Sequence, residues 1–117
     1  VVRFVTPDRI VGAVAAMVEH PHYESIRAPI LAIYAVYQAP GQLFPRYTIA
    51  DGETRSALEQ IFSIWLPFAK SQRTLLRQSV PQARVVEIQG ASHYIFLSHQ
   101  QRVLDETRGF LQSPAHR

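Results

Sequence analysis

Two short apolar runs lie on either side of one long helical repeat, which leaves the chain few ways to fold. Ile30 to Tyr37 is almost continuously apolar, and Val85 to Ile88 is a β-branched run carrying a single Glu87. Apolar character sustained over strand length marks burial on both faces, as in parallel sheets covered by helices. Between the runs, Leu58, Ile61, Phe62, Trp65, Phe68, Ala69, Leu75 and Leu76 recur at helical spacing from Glu53 to about Ser79. Two strands joined through a helix run parallel, and the sequence therefore predicts a right-handed βαβ unit in an α/β fold. Pro67 removes a backbone donor inside the repeat and predicts a kink. The apolar surface widened by Ile64 and Leu66 reads either as core or as the lining of a pocket.

Shorter signals frame this unit. Thr6-Pro7-Asp8 is a helix start, with Thr6 as the cap and Pro7 at the first helical position. Ile10, Val11, Val14, Met17 and Val18 then define one apolar face up to Glu19, and Pro21 ends the helix. That face reads as core, or as a lid over a pocket. Asp51-Gly52-Glu53 precedes the long repeat, so Asp51 reads as its N-cap in preference to a catalytic acid. Ser98, with Gln101 three residues on, predicts a capping box for a last helix with Val103, Leu104, Thr107, Phe110 and Leu111 on its inner face.

Chemistry converges on one turn. After the second run, Gly90-Ala91-Ser92 breaks the strand and places His93 just beyond its carboxyl end, where loops of open α/β sheets form a crevice. A histidine there suits a general base, neutral near pH 7 and readily protonated. Ser92 adjoins it, but neighbouring side chains diverge, and Ser92 reads as a turn residue. His20-Pro21-His22 lacks an evident third ligand and reads as a loop rather than a metal site.

Composition narrows the classes. The 117 residues, 47% hydrophobic and 18% charged, fit one small globular domain and exclude wholesale disorder. The net charge of +3 is modest, and Lys70, Arg73 and Arg77 are spaced as one solvated helix face. Without a binding motif beside them, they predict no nucleic-acid partner. No cysteine is present, which removes disulfides and thiolate metal sites. No apolar stretch approaches the ~20 residues of a membrane span, and no signal-peptide pattern is visible.

Taken together, Pro29-Ile30-Leu31-Ala32-Ile33-Tyr34-Ala35, Gly90-Ala91-Ser92-His93 and the closing Gly109-Phe110-Leu111 resemble the C-terminal part of an α/β-hydrolase. That family carries a "Pro-x-Leu" strand, a helix, a second strand, a "Gly-Ala-x-His" turn and a last helix ending in "Phe-Leu". The resemblance implies a partial α/β-hydrolase fold: a βαβα portion with the last two parallel strands, their crossover helix and a final helix, preceded by a lid-like helix. It implies a lid-like segment over residues 1–22, the hydrolase portion over residues 23–112 and a tail over residues 113–117. His93 matches the catalytic histidine of a serine hydrolase acting on an ester or related acyl substrate, without metal or organic cofactor. The family's usual acid position falls on Gln38, which cannot stabilise imidazolium as a carboxylate does. No Gly-x-Ser-x-Gly nucleophile turn occurs. The expectation is therefore a C-terminal portion of a larger enzyme, inactive alone. The alternative is a non-catalytic βαβ module that completes its sheet with a partner or self-associates through its exposed edge strand.

Overall fold

The structure, a computed structural model, describes residues 7–114. It is a mixed α/β arrangement in which two parallel strands form one sheet with helices around it. The chain runs α1 (Asp8–Glu19), β1 (Leu31–Val36), α2 (Pro40–Leu43), α3 (Gly52–Ser79), β2 (Arg84–Gln89), α4 (Ile95–Ser98) and α5 (Gln100–Gln112). Single 3₁₀ turns at Tyr23–Ser25 and Tyr47–Ile49 lie in the connections.

Register decides what each side of the sheet carries. Leu31 pairs with Arg84, and the ladder continues in step to Val36 opposite Gln89. Alternation then puts Tyr34 and Glu87 on one face, and Ile33, Arg84, Val86 and Ile88 on the other. Each face is tied to a different helix by a glutamate held between two arginines. On the first, Arg73 and Arg77 of α3 reach Glu87 at 2.6 and 3.3 Å. On the second, Arg84 of β2 and Arg102 of α5 reach Glu106 at 2.6 and 2.8 Å. Glu106 is buried, and a carboxylate tolerates that only when paired and hydrogen-bonded. Arg73 and Arg77 are thus anchors rather than a merely solvated face. The apolar core itself is small: Phe62, Leu76, Val80, Ile88 and Ala91 are buried.

Several expectations are corrected. Thr6 lies outside the described residues; Pro7 occupies the cap position of α1 and makes no side-chain cap bond. The face predicted for α1 is not core, because Ile10, Val11, Met17 and Val18 are exposed. The long helix is continuous across Pro67, where proline withdraws the bond to the Ser63 carbonyl. Its core role is narrower than the pattern implied: Phe62 and Leu76 are buried, while Ile61, Ile64, Trp65, Leu66 and Phe68 stay exposed. Pro40–Leu43 forms a helical turn with Pro40 in its first turn and the Gln42 side chain accepting the Ala39 N–H. The capping box at Ser98 and Gln101 does not form. Ser98 ends α4, its hydroxyl accepts the Ser92 N–H, and Gln101 donates to Asp105. Asp51 does cap α3, accepting the Thr54 N–H at 2.7 Å.

The result is open. The radius of gyration is 17.2 Å, against about 13 Å for a compact chain of this length. The accessible surface is 8902 Å², roughly 2,400 Å² above a compact monomer of this mass. Among the described residues, no helix is long and apolar enough to cross a membrane.

The Glu87 cluster makes stability depend on pH. Burial alone would raise this carboxyl, but Arg73 and Arg77 outweigh it and hold it below its ordinary 4.5. Such a group binds its proton more tightly in the unfolded chain. Its stabilisation is complete above about pH 4.5 and is lost as pH falls through the depressed value. Urea unfolding should show the wild-type midpoint dropping between neutral pH and about pH 3. Glu87→Gln should start lower at neutral pH and change less over that range; equal slopes would remove Glu87 as the cause.

Candidate functional site

Both strands end at the same edge of the sheet, and the loops leaving that edge build the site. The β2 loop begins with Gly90, whose φ of 69° is left-handed backbone that favours glycine. A Cβ there would also approach Gln38 Oε1 at 3.1 Å. The Gly90 N–H extends the ladder by donating to the Val36 carbonyl at 2.8 Å. Ala91 is fully buried beneath the turn, and the chain then presents His93 at the surface.

Gln42 joins this loop to the one that follows β1. Its side-chain oxygen accepts the N–H groups of Gln38 (2.6 Å) and Ala39 (3.3 Å). Its side-chain nitrogen donates to the Gly90 carbonyl at 3.1 Å, and its own carbonyl accepts the His93 N–H at 3.1 Å. One residue therefore fixes both ends of the crevice and the backbone of the histidine.

The imidazole is oriented by a phenol. His93 Nδ1 lies 3.3 Å from the Tyr37 hydroxyl, its one side-chain hydrogen bond among the described residues. Burial raises the Tyr37 phenol above its ordinary value, so it is neutral near pH 7. A carboxylate at this place only accepts, which obliges Nδ1 to carry the proton. A phenol can give or accept, so it fixes the ring without fixing the tautomer. The other face of the site is aromatic, with Tyr94 edge-on to His93 at 5.3 Å and Phe96 edge-on to Tyr94 at 6.1 Å.

Two clefts meet at His93, and Tyr37 and Trp65 line both. One, of about 300 Å³, is closed by Leu43, Phe44 and Ile61 and is otherwise apolar. The second, of about 320 Å³, reaches Phe68, Gln72 and Arg73 of α3. It also touches Ile33, Tyr34 and Ala35 in succession. Consecutive residues point to opposite faces, so this cleft follows the edge of β1 that β2 does not pair. A larger hollow of about 600 Å³ beside Pro67 is lined by α3 alone and gathers no converging chemistry.

The residues singled out in the sequence separate. His93 is at the strand-end crevice. Gln38 lies beside it but turns toward Gly90 and makes no bond to the imidazole. Asp51 is occupied by the Thr54 N–H, which holds its carboxyl below the ordinary value. The Ser92 N–H is taken by Ser98. His22 bonds Glu24 at 3.3 Å, and no group of three or more metal-ligating side chains is gathered among the described residues. Tyr37 and Gln42 were missed. Gln42 had a signal, a glutamine two residues after a helix-starting proline. Tyr37, one more apolar residue ending a strand, had none.

Comparison with family profiles, with curated proteins and with solved structures gives no match.

Two substitutions test this arrangement. Gly90→Ala should lower stability by about 1–2 kcal/mol through the left-handed backbone, measured by urea unfolding, and should shift the His93 amide signal. Tyr37→Phe should leave the unfolding midpoint within about 1 kcal/mol while moving the Nδ1 nitrogen resonance of His93. An unmoved resonance would show that the phenol does not hold the ring.

Proposed function

We propose that this chain is the histidine-bearing C-terminal portion of an α/β-hydrolase acting on a carboxylic ester or related acyl compound. One observation carries the reading. His93 stands on the loop leaving the carboxyl end of a parallel strand, its Nδ1 held by Tyr37, its ring at the meeting point of two clefts. The open architecture supports the same reading, since a sheet of two strands, unpaired along both outer edges among the described residues, is a fraction of what a stable domain requires.

The chemistry follows from the imidazole. For Nε2 to act as a base, Nδ1 must carry hydrogen and donate it to the Tyr37 oxygen, whose own hydrogen turns to solvent. Nε2 then removes the proton of a serine hydroxyl supplied from outside these residues, while the serine oxygen adds to the substrate carbonyl. The imidazolium returns that proton to the departing alcohol, leaving an acyl-serine. Water repeats the sequence, giving up its proton to Nε2 and releasing the acid and the free serine. Tyr37, being neutral, orients the ring but adds little charge stabilisation to imidazolium. The base is therefore served by position more than by electrostatics.

A second reading has support of its own. The unpaired edge of β1 and the surplus surface also suit a non-catalytic module that completes its sheet with a partner or a second copy. Light scattering on the 117-residue chain discriminates, because the module self-associates in a defined stoichiometry and keeps it in His93→Ala.

For the hydrolase, the full gene product should hydrolyse a p-nitrophenyl ester. His93→Ala should lower kcat by about a thousandfold or more with an unchanged unfolding midpoint. Undiminished turnover in the folded variant would remove His93 from the reaction.

A further inference from the structure

The two clefts that meet at His93 are chemically unequal, and the inequality specifies what they hold. Leu43, Phe44 and Ile61 give the first an apolar end. The second ends on Arg73, whose side chain is only 12% exposed. Arg73 spends Nε on Glu87 at 2.6 Å. Among the described residues, Glu87 is the carboxylate paired with it, and the terminal nitrogens of a guanidinium are the edge that matches a carboxylate. Glu87 also receives Arg77, so two positive charges face one negative one and the cluster retains a net +1. No aspartate or glutamate lines either cleft. A largely buried cluster with a surplus positive charge, and no second anion to neutralise it, is a site for one.

We propose that the Arg73 cleft binds the carboxylate of an amphiphilic small molecule, whose apolar part lies along Trp65 and Phe68 toward His93. Resting on the hydrolase reading, this deepens it: the substrate is an ester with a carboxylate on one side of the scissile bond and an apolar group on the other. The apolar group takes the cleft of Leu43 and Phe44, the carboxylate takes Arg73, and the carbonyl between them lies at His93. Tyr34 of β1, which lines the same cleft as Arg73, has a phenol raised by burial and stays neutral, so it does not compete for the cation.

The test is binding, which needs no nucleophile and so stands or falls apart from the catalytic reading. The isotope-labelled full gene product is titrated with 4-phenylbutyrate and with its neutral isostere 4-phenylbutanamide, following amide and indole signals. The acid should bind about tenfold tighter, the ratio that one charge-assisted hydrogen bond supplies. The shifts should centre on Trp65, Arg73 and His93. Arg73→Gln should abolish the preference while leaving the amide's affinity unchanged. Arg77→Gln, which removes the cluster's surplus positive charge from outside the cleft, should weaken the preference without abolishing it. In the wild type, the preference should shrink as salt is raised, a readout that needs no variant. Equal affinities, binding of neither compound, a preference that survives Arg73→Gln, or one indifferent to salt would each overturn the proposal. Loss of catalysis in His93→Ala would then still stand by itself, since that result concerns the imidazole alone.

Discussion

Everything near the histidine depends on one amide side chain. Parallel strands must end at the same edge, so their outgoing loops are brought side by side, but nothing in strand pairing tells those loops how to sit against each other. Gln42 supplies that instruction by accepting two backbone N–H groups from the first loop and donating to the Gly90 carbonyl of the second. Glutamine can do this because it carries donor and acceptor on one rigid plane. A carboxylate would lose the donor, and an apolar residue would leave several loop groups unpaired. The left-handed Gly90 and the His93 N–H on the Gln42 carbonyl complete a small polar frame around the crevice.

The two arginine-glutamate-arginine clusters play the corresponding part for the helices. A sheet of two strands presents little apolar area to either side, and the core is correspondingly slight. Charge-assisted pairs at 2.6 Å on each face hold α3 and α5 in place where packing is thin. Such pairs are directional, so they fix the helices' register over the strands, whereas hydrophobic burial fixes only their proximity. The same thinness explains why so many large apolar side chains of α1 and α3 face outward.

How much of this was legible follows from which forces are local. The strands and the long helix were readable, because continuous apolar runs and a period near 3.6 report burial and conformation directly. So was the N-cap at Asp51, since capping involves residues three apart. His93 could be placed at a strand end for the same reason. Pairings across the fold could not be read. Arg73 and Glu87 are close only once α3 lies on the sheet, and Tyr37 meets His93 only through the strand register. The α1 face misled because periodicity shows that a helix has an apolar side without saying what covers it. The Ser98 pattern misled because the hydroxyl was claimed by the Ser92 N–H, an equally short-range competitor.

Trp65 is the single tryptophan of the chain, and it forms the wall shared by the two clefts beside His93, with Phe68 tilted against it at 5.5 Å. Its indole is about 38% exposed, half in water and half against the crevice. Ultraviolet emission from these 117 residues is therefore dominated by one fluorophore standing at the candidate site. Entry of a ligand on either side displaces water from that ring and moves its emission toward the blue, and a charged imidazolium nearby quenches it. These residues carry an optical gauge of their own crevice, with no label to attach.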